Sequence, residues 1–381
     1  MMEHTTTGVY MHIPYCTSKC HYCDFYSLPF SPIGATAYVE ALIHQFDAFD
    51  RGGYVKMIDT IYIGGGTPSL LPAEMVGRML DRIFKSGRVC DDAEISMEIN
   101  PETVHEEYFR EIQALGINRI SVGIQSSFDE TLKAIGRRNN FAQAQNAVEA
   151  ACRAGFDNIS ADIMIGLPNE SRQHLEQTIH DVMQLPIVHV SAYMLKLMEG
   201  TPFGDHPPTG LADDDEQAEY YEMACRMLEQ KGLMQYEISN FAKYGYQSRH
   251  NTRYWDCLDY LGLGAAAHSS INGVRYSFAR DVDSFIRVYG NDVGSADPFV
   301  HLNRQGEVDA NDYIMLQLRL KKGLSFHELL KRFGIKLSPR QMEKVALYAK
   351  KTWMKCDAWG IRLTHKGMLV SNAVLSDLLF D

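Results

Sequence analysis

The chain has 381 residues, 45% of them hydrophobic and 22% charged, with a formal net charge of −11 at pH 7. That length supports two or three globular units with a large core; the acidic balance argues against a broad nucleic-acid footprint, which needs a basic face. No run of about 18 apolar residues marks a membrane span, no basic segment followed by an apolar stretch marks a secretory signal, and the cysteine usage suits a reducing cytoplasm.

Strand and helix patterns alternate through the first half. Strands are predicted over residues 9–13, 60–63, 94–99, 119–124, 159–165 and 187–194. Helices are predicted over 35–49, 72–85, 106–115, 141–154 and 172–184. Six strands joined by helices imply parallel pairing and a partial (β/α)6 TIM-like barrel, short of the eight strands of a closed one. A Gly-, Pro- and Asp-rich stretch over 204–216 reads as a linker, followed by a helix over 217–231. Residues 291–311 are loop-rich. Helices over 312–320, 325–333 and 339–352, with short strands at 362–363 and 368–369, suggest a winged-helix-like unit. The expected organisation is α/β: a partial parallel barrel over 1–205, a smaller α+β region over 206–300, and a helical winged-helix-like C-terminal unit over 301–381.

Side chains alternate faces along a strand. Ile95, Met97 and Ile99 share one face of the third strand, and Ser96 and Glu98 the other. Ile120, Val122 and Ile124 alternate with Ser121, Gly123 and Gln125, and Ile159, Ala161 and Ile163 with Ser160 and Asp162. The apolar face packs on helices. The other face is small and polar, unlike the Val/Ile/Leu filling of a closed barrel, and suits a cavity for a polar ligand.

After the first strand comes HIPYCTSKCHYCDF, with Cys16, Cys20 and Cys23 spaced C-x3-C-x2-C. Four thiolates fill a [4Fe–4S] cube in electron carriers; three leave one iron open to a ligand. Half of a zinc site is the competing reading, with His12 and His21 nearby as further ligands. Ile63-Gly64-Gly65-Gly66-Thr67-Pro68 follows the second strand, and consecutive glycines let backbone N–H groups approach a ligand. Glu98, Gln125 and Asp162 end the next three strands. Arg137 and Arg138 follow the fourth strand and can pair with a carboxylate.

Together YMHIPYCTSKCHYC, IGGGTPSLL, EINPET, RISVGIQS, LKAIGRRN and DIMIGLP resemble radical S-adenosylmethionine proteins of the coproporphyrinogen-dehydrogenase branch, over nearly the whole chain. The resemblance implies a [4Fe–4S] cluster on Cys16, Cys20 and Cys23 with Tyr10 beside it. It implies that S-adenosylmethionine chelates the open iron, its methionine part held by Gly65, Gly66 and Thr67, while Glu98, Gln125, Arg137 and Asp162 contact one or two such molecules. A reductant such as flavodoxin or ferredoxin is implied as well.

The branch contains an oxygen-independent coproporphyrinogen III dehydrogenase and heme chaperones of the HemW type. Three features favour the chaperone type: Phe25 stands where the dehydrogenase has a fourth cysteine, only a short segment precedes Cys16, and His250-Asn251-Thr252-Arg253-Tyr254-Trp255 carries the chaperone pattern H-N-x-x-Y-W. The resemblance then implies heme as cargo and acceptor hemoproteins, membrane-associated ones among them, as partners. His250 is the candidate axial ligand, with His12, His21 and His268 as rivals. Tyr254 and Trp255 are the candidate porphyrin wall, and Arg249, Arg253 and Arg275 the candidate propionate partners. The competing reading makes HNxxYW a domain-interface motif with a satisfied histidine.

Overall fold

A computed structural model of the chain describes residues 5–291 and 297–380. Six parallel strands run side by side in chain order: β1 (Thr6–Ile13), β2 (Met57–Gly65), β3 (Val89–Ile99), β4 (Arg119–Gln125), β5 (Ile159–Ile165) and β6 (His189–Met194). Parallel neighbours need a crossover between them. The main crossover helices are Pro32–Arg51, Ala73–Phe84, Glu106–Ala114, Phe141–Arg153 and Arg172–Val182. Local chemistry starts these helices where the chain needs them. Ser31 accepts from the Gly34 N–H, Asn140 forms a capping box with Gln143, and Ser171 accepts from the His174 N–H.

The outward strand residues Ile95, Met97, Ile99, Ile120, Val122, Ile124, Ile159, Ala161 and Ile163 are buried in one continuous core. At about 1.5–3 kcal/mol for each fully buried large aliphatic side chain, this layer fixes register. A one-residue slip would turn the apolar set inward.

The sheet continues past both ends of the six-strand array. After β6 the chain adds β7 (Met234–Gln235) and β8 (Asn240–Ala242), with β8 antiparallel to β6. At the other edge β9 (Tyr260–Leu263) lies parallel to β1, and β10 (His268–Ile271), β11 (Val274–Ser277) and β12 (Asn303–Glu307) follow antiparallel. The order is β12-β11-β10-β9-β1-β2-β3-β4-β5-β6-β8-β7, one open twelve-stranded sheet. It therefore runs across the boundaries expected near 205 and 300. The loop-rich stretch expected over 291–311 holds β12; residues 292–296 lie outside the described residues.

The C-terminal region carries a three-stranded antiparallel sheet of β13 (Leu324–Ser325), β14 (Met354–Cys356) and β15 (Gly360–Leu363), ordered β13-β15-β14. It packs with helices Ala310–Gln317, Phe326–Phe333, Pro339–Lys350 and Ser371–Leu378. The strand expected at 368–369 is instead the end of helix His365–Leu369. Thr364 caps that helix through the Gly367 N–H at 3.1 Å, and a capping hydroxyl outweighs the β preference of two apolar residues.

Candidate functional site

The three cysteines lie on the loop that follows β1, at the C-terminal end of the parallel strands. Tyr15–Cys16 pairs with Leu28–Pro29, and the Leu28 N–H donates to the Pro14 carbonyl at 2.8 Å, closing the loop at its base. Its far side is pinned twice: the His21 N–H donates to the Ile135 carbonyl, and the Phe203 N–H to the His21 carbonyl, each at 3.0 Å. The loop thus spans the mouth between segments after β4 and β6. All three thiols are free and half-buried. Burial foremost, and then the neighbouring Cys20 and Cys16, push the Cys23 thiol up to about 11; iron ligation reverses that, because a coordinating thiol is deprotonated. Thr67 Oγ1 donates to Cys16 Sγ at 3.4 Å.

Among the described residues no three His, Cys, Asp or Glu side chains converge closely enough to hold one metal ion. A single zinc draws its thiolates to about 2.3 Å. A cube spreads them over separate irons, so the loop fits the cluster better than it fits zinc.

The glycine turn continues β2 beside the loop. The Gly66 N–H donates to the Ile13 carbonyl at 2.8 Å and the Thr67 N–H to the Tyr15 carbonyl at 2.7 Å. A Cβ on Gly66 would stand 2.6 Å from the Tyr15 carbonyl oxygen. One on Gly65, at φ +114°, would meet the His12 ring at 2.6 Å. Both positions require glycine for close backbone approach.

Glu98 faces this turn, accepting from the Gly65 N–H at 3.0 Å and the Tyr62 hydroxyl at 2.9 Å. Burial raises its carboxyl to about 7, the nearby Asp162 adding to the rise. Asp162 accepts from Ser121 Oγ at 2.9 Å and is likewise raised by burial. Arg137 spans the next strand end: Nη2 donates to the Gly123 carbonyl, and Nε to Asn139 Oδ1 at 3.0 Å. A Cβ on Gly123 would lie 3.2 Å from Gln125 Nε2 and 3.3 Å from Arg137 Nη2, so the missing side chain makes room for both. Gln125 sits at φ +70°, where the β4–β5 register shifts. Tyr10 donates or accepts at His12 Nδ1 (3.0 Å) and stacks on Tyr62. Tyr10, Gly65, Glu98, Gln125, Arg137 and Asp162 therefore line one open face beside the cysteine loop. Arg138 does not join them; it is exposed and lies 3.8 Å from Glu102.

The HNxxYW segment is elsewhere. It forms helix Arg249–Trp255, which closes the opposite end of the barrel, under the N-terminal ends of the strands. His250 is fully buried. Its Nδ1 bonds Thr60 Oγ1 at 2.9 Å, its Nε2 the Tyr254 hydroxyl at 2.8 Å, and its ring stacks on Tyr62 at 5.3 Å. Burial first, then Arg253 and Arg119, lower its pKa to about 3. Both ring nitrogens are engaged, so the expectation of His250 as an axial ligand is not met by this geometry; it is a plug residue.

Arg253 pairs with Asp59, and Arg249 with Asp92. Glu94 accepts from the backbone N–H groups of Arg249 and His250. Trp255 and Asp256 receive Gln317, Lys322 and Arg332 from the C-terminal region. The segment thus packs between the strand N-termini and the C-terminal region, and beside it lies a cavity of about 570 Å³ lined by Thr60, Tyr236, Arg249, Thr252, Arg253 and Lys321.

Sequence reasoning missed Tyr62, which bonds Glu98, and Arg119. Arg119 is fully buried on the inner face opposite Ser96, with Nε and Nη1 unpartnered. Its positive charge acts on the carboxylates Glu94, Glu98 and Asp162. The same period-two alternation that placed Ser121 and Gln125 inward also places Arg119 there.

Residues 10–182 match the Radical SAM superfamily model. Curated relatives with the name heme chaperone HemW extend over the chain. The protein from Lactococcus lactis subsp. lactis is 30% identical over 377 residues, 98% of this chain and 97% of its own. That from Bacillus subtilis is 32% identical over 380 residues, 98% and 99%. That from Escherichia coli is 38% identical over 275 residues, 71% and 72%. Among solved structures, coproporphyrinogen III oxidase (HemN) from Escherichia coli, a radical SAM enzyme, superposes with a TM-score of 0.83 at 20% identity, covering 98% of this chain and 90% of its own; this shows a shared fold. Membership of the superfamily implies a [4Fe–4S] cluster and S-adenosylmethionine, and the cysteine loop with the polar face beside it fits both. The chain belongs to the radical SAM superfamily and, within it, to the heme chaperone HemW family.

Proposed function

We propose that this protein is a heme-binding chaperone on a radical SAM scaffold, delivering heme to acceptor hemoproteins in the cytoplasm or at a membrane. The carrying observation is full-length similarity to relatives named heme chaperone HemW, together with Phe25 where the dehydrogenases have a fourth cysteine. Among the described residues no helix is long and apolar enough to cross a membrane.

In this reading Cys16, Cys20 and Cys23 hold the cluster with Tyr10 beside it. The backbone of Gly65 and Gly66 and the Thr67 hydroxyl hold the methionine end of S-adenosylmethionine. Glu98 and Asp162 accept hydrogen bonds from hydroxyls, and Gln125 and Arg137 meet its polar groups. The cluster supplies one-electron chemistry when bound, and a reductant such as flavodoxin or ferredoxin feeds it. The second reading is oxygen-independent coproporphyrinogen III dehydrogenase, favoured by the shared fold.

Anaerobic reconstitution decides between them. The protein is given iron and sulfide, then S-adenosylmethionine, reductant and coproporphyrinogen III. The chaperone reading expects about four irons and four sulfides per chain and no protoporphyrinogen IX. Turnover to protoporphyrinogen IX would establish the enzyme instead.

A further inference from the structure

The edge of the sheet beyond β1 carries a surface that the cluster and S-adenosylmethionine do not use. Residues directly opposite on neighbouring strands share a face. Tyr10 opposes Gly262 and Gly8 opposes Tyr260; Tyr260 opposes Ser270, and Ser270 opposes Arg275. His268, two residues before Ser270 and opposite Ser277, therefore shares this face. The polar inner face of the barrel runs on past the cluster strand, onto β10 and β11.

His268 stands exposed at the cluster end of this wing. Partial burial lowers its pKa, a side-chain hydrogen bond with Gln305 works against that, and the positive charges of Arg280 and Arg275 lower it further. Arg280 is exposed and, among the described residues, has no ion-pair or hydrogen-bond partner. Arg275 pairs through Nη1 with Asp312 at 3.3 Å and leaves Nε unpartnered.

The same rim is tied to the cluster loop. The Tyr26 carbonyl bonds His12 Nε2 at 3.1 Å, the Tyr26 hydroxyl accepts from the Val282 N–H at 3.2 Å, and Arg280 and His268 both act on His12. Phe25, next in the chain to Tyr26, is 57% exposed here. An accessible imidazole with two arginines acting on it, and an exposed aromatic ring on the adjoining cluster loop, is a donor set for one ligand chemistry: a planar metal chelate that bears carboxylates. Iron takes the imidazole nitrogen, the guanidinium forks take the carboxylates, and the ring lies against the macrocycle. His12 and His250 have both ring nitrogens engaged, and His21 packs inside the cysteine loop with Nδ1 on the Ala134 carbonyl.

We propose that His268 is the axial ligand of the heme cargo, with Arg280 and Arg275 holding its propionates and Phe25 against its face. The proposal rests on the heme-chaperone reading and adds the place of binding, beside the cluster loop and away from HNxxYW.

Hemin titration of the full-length protein tests it. Wild type gives a Soret band with a histidine-ligand signature. H268A loses that signature and weakens hemin binding on the order of tenfold or more, and added imidazole restores the band. R280Q weakens hemin binding and leaves binding of hemin dimethyl ester, which lacks the carboxylate charges, unchanged. Iron and sulfide content and S-adenosylmethionine binding stay at wild-type levels in both variants. An H268A protein with an unchanged Soret band and affinity overturns this site alone. A wild-type protein that binds no hemin overturns the chaperone reading beneath it.

Discussion

His250 offers the sharpest test of what the HNxxYW segment does. Replacing it with alanine removes the hydrogen bonds to Thr60 Oγ1 and to the Tyr254 hydroxyl, each worth about 1 kcal/mol net. It also removes the stack on Tyr62 at 5.3 Å, about 0.5–1.5 kcal/mol. Thr60 is left buried with no replacement partner in a space the ring once filled, which adds about 1 kcal/mol. H250A is therefore expected to lose about 3.5–4.5 kcal/mol, the sum of these terms. Urea unfolding followed by far-UV circular dichroism measures it, with a lower midpoint at an unchanged slope. Hemin titration of the same protein at low urea should give the wild-type histidine signature. A variant as stable as wild type that has lost the heme signature would refute the plug and restore His250 as a ligand.

Two further outcomes follow from the site. Glu98 has a folded-state carboxyl raised to about 7 by burial, so its contribution to stability is fully present below the ordinary carboxylate range and is lost as pH rises through about 7. E98Q should therefore gain stability relative to wild type at pH 8 and gain nothing at pH 5, while losing S-adenosylmethionine affinity in isothermal titration; equal pH profiles would show that Glu98 is not buried as described. G66A places a Cβ 2.6 Å from the Tyr15 carbonyl oxygen and 2.9 Å from that of Ile13. The turn must shift, so the reconstituted variant should bind S-adenosylmethionine at least about tenfold more weakly; wild-type affinity would mean that the turn does not hold the ligand.

The parallel array was legible because its signal is local and periodic. Short apolar runs alternating with helical patterns located all six strands, and alternation put Glu98, Gln125 and Asp162 on the inner face. The wing strands β9–β12 were not legible. YLGLGAAAHS gives a two-sided small-residue pattern with no clean period, and its pairing with β1 comes from residues some 250 positions away. The packing of HNxxYW was not legible for a related reason. A histidine, two arginines and two aromatics in seven residues look like a ligand site, and only the tertiary partners Thr60, Asp59 and Glu94 reveal how the segment packs. Arg119 was readable from alternation, yet its meaning depends on three carboxylates brought around it by other strands.

Heme delivery as a chaperone is tested most directly by the route through which heme leaves the protein. Heme-loaded protein is mixed with an apo-hemoprotein acceptor in the presence of excess apomyoglobin, which captures heme released to solution. A chaperone fills the acceptor faster than apomyoglobin strips the donor alone, at a rate that rises with acceptor concentration, because transfer occurs in a complex. Filling that proceeds only at the rate of release to apomyoglobin, independent of acceptor, would contradict it.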